Sequence, residues 1–140
     1  MPSKKIKHLD MIEAVIERMA KNSFQLKGWT MTLVTIVGTF SSQSSEKKFI
    51  VLAFVPILAF WVLDSFYLQQ ERKYRLLYKI VRCKKEKQID FDMDTSNILG
   101  TTQETKKICF FRCMFSISEM CFYPFIAIAI ILLVIALIFL

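Results

Sequence analysis

Residues 49–87 read FIVLAFVPILAFWVLDSFYLQQERKYRLLYKIVRCKKEK. The first twenty, Phe49 to Leu68, are apolar apart from Asp64. A spanning helix needs about 20 mostly apolar residues. No Pro or Gly marks the junction at Gln69, so the helix is expected to run on into a basic segment. An apolar span that emerges as a charged helix decides the fold class, because it sets a membrane segment against an aqueous one.

Two further apolar runs flank it. Gly28 to Ser42 carries no charge but is short, and it draws on Phe24 and Leu26 at its entrance. Met120 to Leu140 carries no charge at all. The whole chain of 140 residues is 54% hydrophobic, with mean hydropathy +0.42. Soluble domains lie near 45–50% apolar. Here the apolar residues gather into runs separated by charged stretches. About 27 polar and amphipathic residues precede the first run, so a cleavable secretory signal is not expected.

The 19 Lys and Arg residues orient these runs. Residues 1–27 hold six, residues 69–113 hold eleven, and the connection at 43–48 holds only Lys47 and Lys48. If the first two runs form a hairpin, nearly all basic residues fall on one side, which the positive-inside rule makes cytoplasmic. The expected architecture is an all-α membrane protein of the cell inner membrane. A cytoplasmic amphipathic helix (1–27) leads into a transmembrane hairpin (28–68). A cytoplasmic basic helix and loop (69–113) follow, and then a C-terminal transmembrane helix (114–140), giving N-in, C-out. Topology and anionic headgroups account for the net charge of +7 without DNA or RNA as partner.

Within the first run Gly28, Thr32, Thr35, Thr39 and Ser42 recur at spacings of 4, 3, 4 and 3. They share one helix face. Small and hydroxyl residues favour close helix packing in lipid. The same face would suit the lining of a pore, which three spans enclose only by self-assembly into a homo-oligomer. Asp64 lies near the inner end of the second run, and Lys27 sits at the matching depth of the first. They fit an interfacial salt bridge or a latch that holds the hairpin closed.

Before the hairpin, Leu9, Ile12, Ile16 and Met19 mark one apolar helix face. That face suits the inner leaflet, neighbouring helices or a partner subunit. After it, Tyr74, Leu77, Tyr78 and Val81 form an apolar stripe beside the basic Arg72, Arg75, Lys79 and Arg82. The pattern fits a helix with one packed and one solvated face. It also fits an anion site, with arginines pairing to phosphate and Tyr74 and Tyr78 stacking on a base.

Other chemistry is sparse. Counted from Asp90, a calcium loop would need Gly and Glu where Thr95 and Thr101 stand, so the DFDMD stretch fails that pattern. Alternation of Ile89, Phe91 and Met93 with aspartates suggests a short extended piece. Cys109 and Cys113 are spaced for one helix face. His8 is the only histidine and far away in sequence, so no metal site and no cofactor is expected. Cys83 and Cys121 complete the thiols, which should stay reduced. With only Gly28, Gly38 and Gly100 there is no phosphate loop, and no serine stands in a nucleophile elbow. The chain reads as a non-enzyme.

The stretches KHLDMIEAVIERMAKNSFQLKGW (7–29) and FWVLDSFYLQQERKYRLLYKIVR (60–82) resemble small bacterial membrane proteins, and the part from Asp64 through Arg82 also resembles the SLATT-type two-helix membrane effectors of nucleotide-signalled anti-phage systems. The resemblance covers about residues 7–82 and rests on aromatic and basic pattern. It implies a pore-forming or membrane-disrupting effector of antiviral defence, triggered from the cytoplasm by a nucleotide second messenger or a sensor protein. The alternative is a non-conducting membrane anchor or regulatory subunit of a larger complex.

Overall fold

The computed structural model describes residues 3–43, 51–96 and 108–139. Four α-helices follow in order: α1 (Lys4–Gln43), α2 (Phe54–Cys83), α3 (Phe110–Met114) and α4 (Ile117–Phe139). Among the described residues there is no strand. The expected all-helical class therefore holds. By length and composition one helical stretch, Val51–Cys83, can cross a membrane, and Ile117–Leu132 is a shorter apolar helical stretch. Helix α1, whose short apolar run is interspersed with Thr, Ser and Gly, does not reach that standard. The basic connection at 44–48 and residues 97–107, with Gly100 and Thr101, lie outside the described residues.

Helix α1 is a single element of 40 residues. Ser3 starts it: its Oγ accepts the Ile6 N–H at 3.3 Å. A side-chain acceptor of this kind satisfies an otherwise orphaned donor of the first turn. Residues 4–43 hold no Pro, so the amphipathic stretch and the first apolar run join without a break. Helix α2 is likewise continuous through Gln69, from an apolar first half into the basic segment. Pro56 sits in its first turn, where the missing N–H has no intrahelical partner to lose.

The chain divides into two compact units, Met1–Ser23 with Phe66–Cys113, and Phe24–Ser65 with Met114–Leu140. In the first unit Ile12, Leu77 and Val81 are buried, packed round by Leu9, Ile16, Tyr74, Tyr78, Ile89 and Met93. The two apolar stripes read separately from the sequence thus cover one another. Residues 89–95 form no strand. The alternation instead reflects a run of aspartate turns. Asp90 Oδ1 accepts the Asp92 N–H at 3.3 Å, Asp92 Oδ1 the Asp94 N–H at 2.8 Å, and Asp94 Oδ1 the Ser96 N–H at 2.8 Å. Each carboxylate replaces a ladder partner two residues on. Between them Ile89 and Met93 turn into the core. Phe91, with φ 57°, meets the buried His8 ring at 5.5 Å. His8 Nε2 is 3.0 Å from the Asp92 carbonyl.

In the second unit Ala53, Ile57, Tyr123, Ile126 and Ile130 make the core, with Val34, Val37, Phe60, Trp61 and Val134 against it. On α4 the inward residues Glu119, Tyr123, Ile126 and Ile130 recur at helical spacing. Phe125, Ile128 and Leu132 on its other faces are exposed. A helix that is apolar all round suits a lipid environment or a larger core. Pro124 inside α4 removes one helical donor.

Candidate functional site

The second unit holds few charges. By sequence they are Lys27, Asp64 and Glu119, together with Glu46, Lys47 and Lys48 of the connection. The first three come from α1, α2 and α4, and they meet. Lys27 Nζ forms a salt bridge with Asp64 Oδ2 and a second, at 3.0 Å, with Glu119 Oε1. Tyr123 donates its hydroxyl to the same Asp64 Oδ2 at 3.0 Å. Lys27 Nζ also lies 5.9 Å from the ring centroids of Phe122 and Tyr123.

The two carboxylates are enclosed, while the Lys27 side chain is 18% exposed. Asp64 is 0% exposed and Glu119 1%. Among the described residues Asp64 Oδ1 and Glu119 Oε2 are buried without a hydrogen-bond partner. Two carboxylates therefore share one ammonium in an apolar surround, where unsatisfied polar atoms cost about 1–3 kcal/mol or more. Trp61 closes one side. It stacks on Tyr123 with centroids 6.3 Å apart and donates Nε1–H to the Met114 carbonyl at 3.1 Å. Beneath it, Ser65 donates to the Trp61 carbonyl at 2.7 Å, and the buried Thr30 donates to the Leu26 carbonyl at 2.8 Å.

Sequence reasoning brings Lys27 and Asp64 to one depth, and the structure pairs them. It does not find Glu119, Tyr123 or Thr30. Glu119 stands one residue before the third apolar run, so it falls just outside that run's bounds. The signal was there: it is the one acidic residue in 114–140, one position before the third apolar run.

The hydroxyl stripe lies elsewhere. Leu26, Thr30, Val34, Val37 and Ser41 face the core from α1, all buried or half-buried. Gly28, Thr32, Thr35 and Thr39 are exposed. The two sets differ by about two residues, close to half a turn at 100° per residue. Thr32, Thr35 and Thr39 each donate to the carbonyl four residues back, at 3.0, 2.8 and 2.9 Å. These donors are satisfied inside α1 itself. Thr32 lines a shallow, open cleft with Trp29, Leu33 and Phe60. The Ser42 side chain lies outside the described residues.

The basic face of α2 is spread out. Arg75 pairs with Glu71 at 2.7 Å. Arg72 Nη1 donates to Cys113 Sγ at 3.6 Å. Lys79 and Arg82 are exposed. Tyr74 and Tyr78 are half-buried against the Ile12–Leu77–Val81 cluster, with their rings engaged in packing. Cys113 is buried, while Cys83, Cys109 and Cys121 are exposed. Among the described residues no three His, Cys, Asp or Glu side chains are grouped to hold a metal.

In the first unit two carboxylates have lowered pKa values. The Ser96 hydroxyl and N–H hold Asp94 below its ordinary 3.8. The Asp92 N–H, with help from Lys84, does the same for Asp90. No known protein family, curated protein or solved structure matches this chain.

Proposed function

We propose that the chain is a three-span protein of a bacterial inner membrane, oriented N-in and C-out, whose apolar unit is held shut by the Lys27–Asp64–Glu119 cluster. The observation that carries this reading is the convergence of one charge from each of α1, α2 and α4 in an otherwise apolar unit. Ionisable groups at membrane depth are rare, pair with one another and mark functional sites. The length of α4, 23 residues or about 34 Å at 1.5 Å per residue, supports a third crossing. The stretch of α1 from Phe24 to Gln43, with Lys27 as its one charge, is about 30 Å long, which is enough for a first crossing.

In this reading the cluster is a latch. Closed, it neutralises charge inside the bundle. Opened, it leaves two carboxylates and an ammonium that must hydrate, and a hydrated bundle passes ions. The protein then acts as a membrane-permeabilising effector, self-assembled and triggered from the cytoplasmic side. The resemblance to nucleotide-signalled effectors supports the same direction.

Purified protein in liposomes loaded with a self-quenching dye tests it. Wild type should hold the dye, and Lys27→Met, which removes the pin, should release it. If Lys27→Met and Asp64→Asn both insert and neither leaks, the effector reading fails. Stable capture of a second membrane protein by the same tight vesicles would then mark an anchor subunit.

A further inference from the structure

We propose that the Lys27–Asp64–Glu119–Tyr123 cluster is a binding site for one small monovalent cation, a proton or a sodium-sized ion. Two carboxylates face one ammonium, so the ionised cluster carries a net −1. The unit's other charges, Glu46, Lys47 and Lys48, are assigned by the proposed topology to the opposite ends of the spans. A buried net charge is costly, and it is relieved by pairing or by uptake of an ion.

The second observation is independent of that count. Asp64 Oδ1 and Glu119 Oε2 are fully buried and have no hydrogen-bond partner among the described residues. Their sister oxygens are both engaged, Asp64 Oδ2 by Lys27 and Tyr123, and Glu119 Oε1 by Lys27. What remains is a pair of acceptors without donors. A proton or a small monovalent ion supplies what they lack and brings the cluster to neutrality. A divalent ion fits poorly, because it would overshoot neutrality beside an ammonium and calcium asks for six to eight oxygens. An anion meets the wrong charge.

The groups that face the site are Lys27 from α1, Asp64 from α2, and Glu119 and Tyr123 from α4. Tyr123 connects it to a reporter, because Trp61 stacks on that ring. Trp29, the other tryptophan, is exposed and can be replaced.

This inference rests on the apolar unit being membrane-embedded, but it does not need the latch to leak. The test uses the full chain carrying Trp29→Phe in nanodiscs, with Trp61 fluorescence and circular-dichroism melting followed from pH 4 to 9. One series is in choline chloride and one in sodium chloride. The fluorescence should show a single one-proton transition in choline, and the melting midpoint should fall as the pH rises through it, since ligand binding to the folded state stabilises it. If sodium shares the site, tenfold more sodium moves that transition down by about one pH unit by mass action. If a proton alone is taken, the two salts give the same curve. Glu119→Gln and Asp64→Asn each remove one charge and keep an acceptor, so they should stay helical and lose the transition. A flat wild-type trace in both salts with native helix content would overturn the proposal. So would a transition that persists unchanged in both variants. Dye release is read separately, so a cation site without leakage would leave the binding inference standing and remove the effector.

Discussion

Lys27 is the residue on which the apolar unit turns. Its ammonium meets two carboxylates that are both enclosed. Breaking a buried ion pair from one side leaves an uncompensated charge and costs about 3–5 kcal/mol. Lys27→Met should therefore lower the SDS-titration midpoint in mixed micelles by a corresponding amount. The triple replacement Lys27→Met, Asp64→Leu, Glu119→Leu removes every charge at once and should restore stability, since well-packed apolar groups often equal or surpass a buried pair. A triple variant as weak as Lys27→Met would contradict the assignment. In the other unit Asp90 and Asp94 carry a pH dependence whose sign is fixed by their turns. Their pKa values are lowered in the folded chain, so their contribution is full above the ordinary 3.8 and is lost as pH falls through the lower folded values. NMR titration of the Asp92 and Ser96 amides should give midpoints below 3.8, and midpoints at or above it would remove these turns from the account.

At the scale of elements, the pairing of two amphipathic stripes holds the N-terminal unit. Leu77 is 5% exposed between Ile12 and Val81, so Leu77→Ala should cost about 2–4 kcal/mol by lost transfer and cavity. The threonine stripe behaves in another way. Were Thr32, Thr35 and Thr39 bonded across helices, each would be worth about 0.6 kcal/mol. Their donors instead close on α1's own carbonyls, a bond that adds little to helix stability. Changing all three to Val should then shift monomer stability by less than about 1 kcal/mol. Leak that falls in this variant would give the stripe a conducting role, and a weakened oligomer with unchanged leak would give it a packing role. Much at this scale was legible. The helical period of residues 9–19 and 74–81 gave both stripes, and the lack of a breaker at Gln69 gave a continuous α2. Two things were not. The junction at Lys27 and Gly28 looks like a boundary in composition, yet the backbone has no reason to stop there. The period of Gly28 to Ser42 marks a face but not its direction, and the inward face two residues over carries Leu26, Thr30, Val34 and Val37, whose pattern is quieter. Glu119 was hidden by its place at the edge of an apolar run.

For the whole molecule, the proposed arrangement has three apolar segments crossing the bilayer with their shared charge cluster at the cytoplasmic end. Each of Lys27, Asp64 and Glu119 lies near the end of its segment that adjoins a basic stretch, which makes the ionic contact and the charge asymmetry two aspects of one arrangement. Cysteine accessibility reads this directly. With Cys83, Cys109, Cys113 and Cys121 replaced, single cysteines are placed at Ser44, Thr102 and Leu140, and intact cells are treated with an impermeant maleimide. The account expects Ser44→Cys and Leu140→Cys to label from outside and Thr102→Cys to label only after lysis. Labelling of Thr102→Cys in intact cells, or protection of Ser44→Cys until lysis, would contradict it.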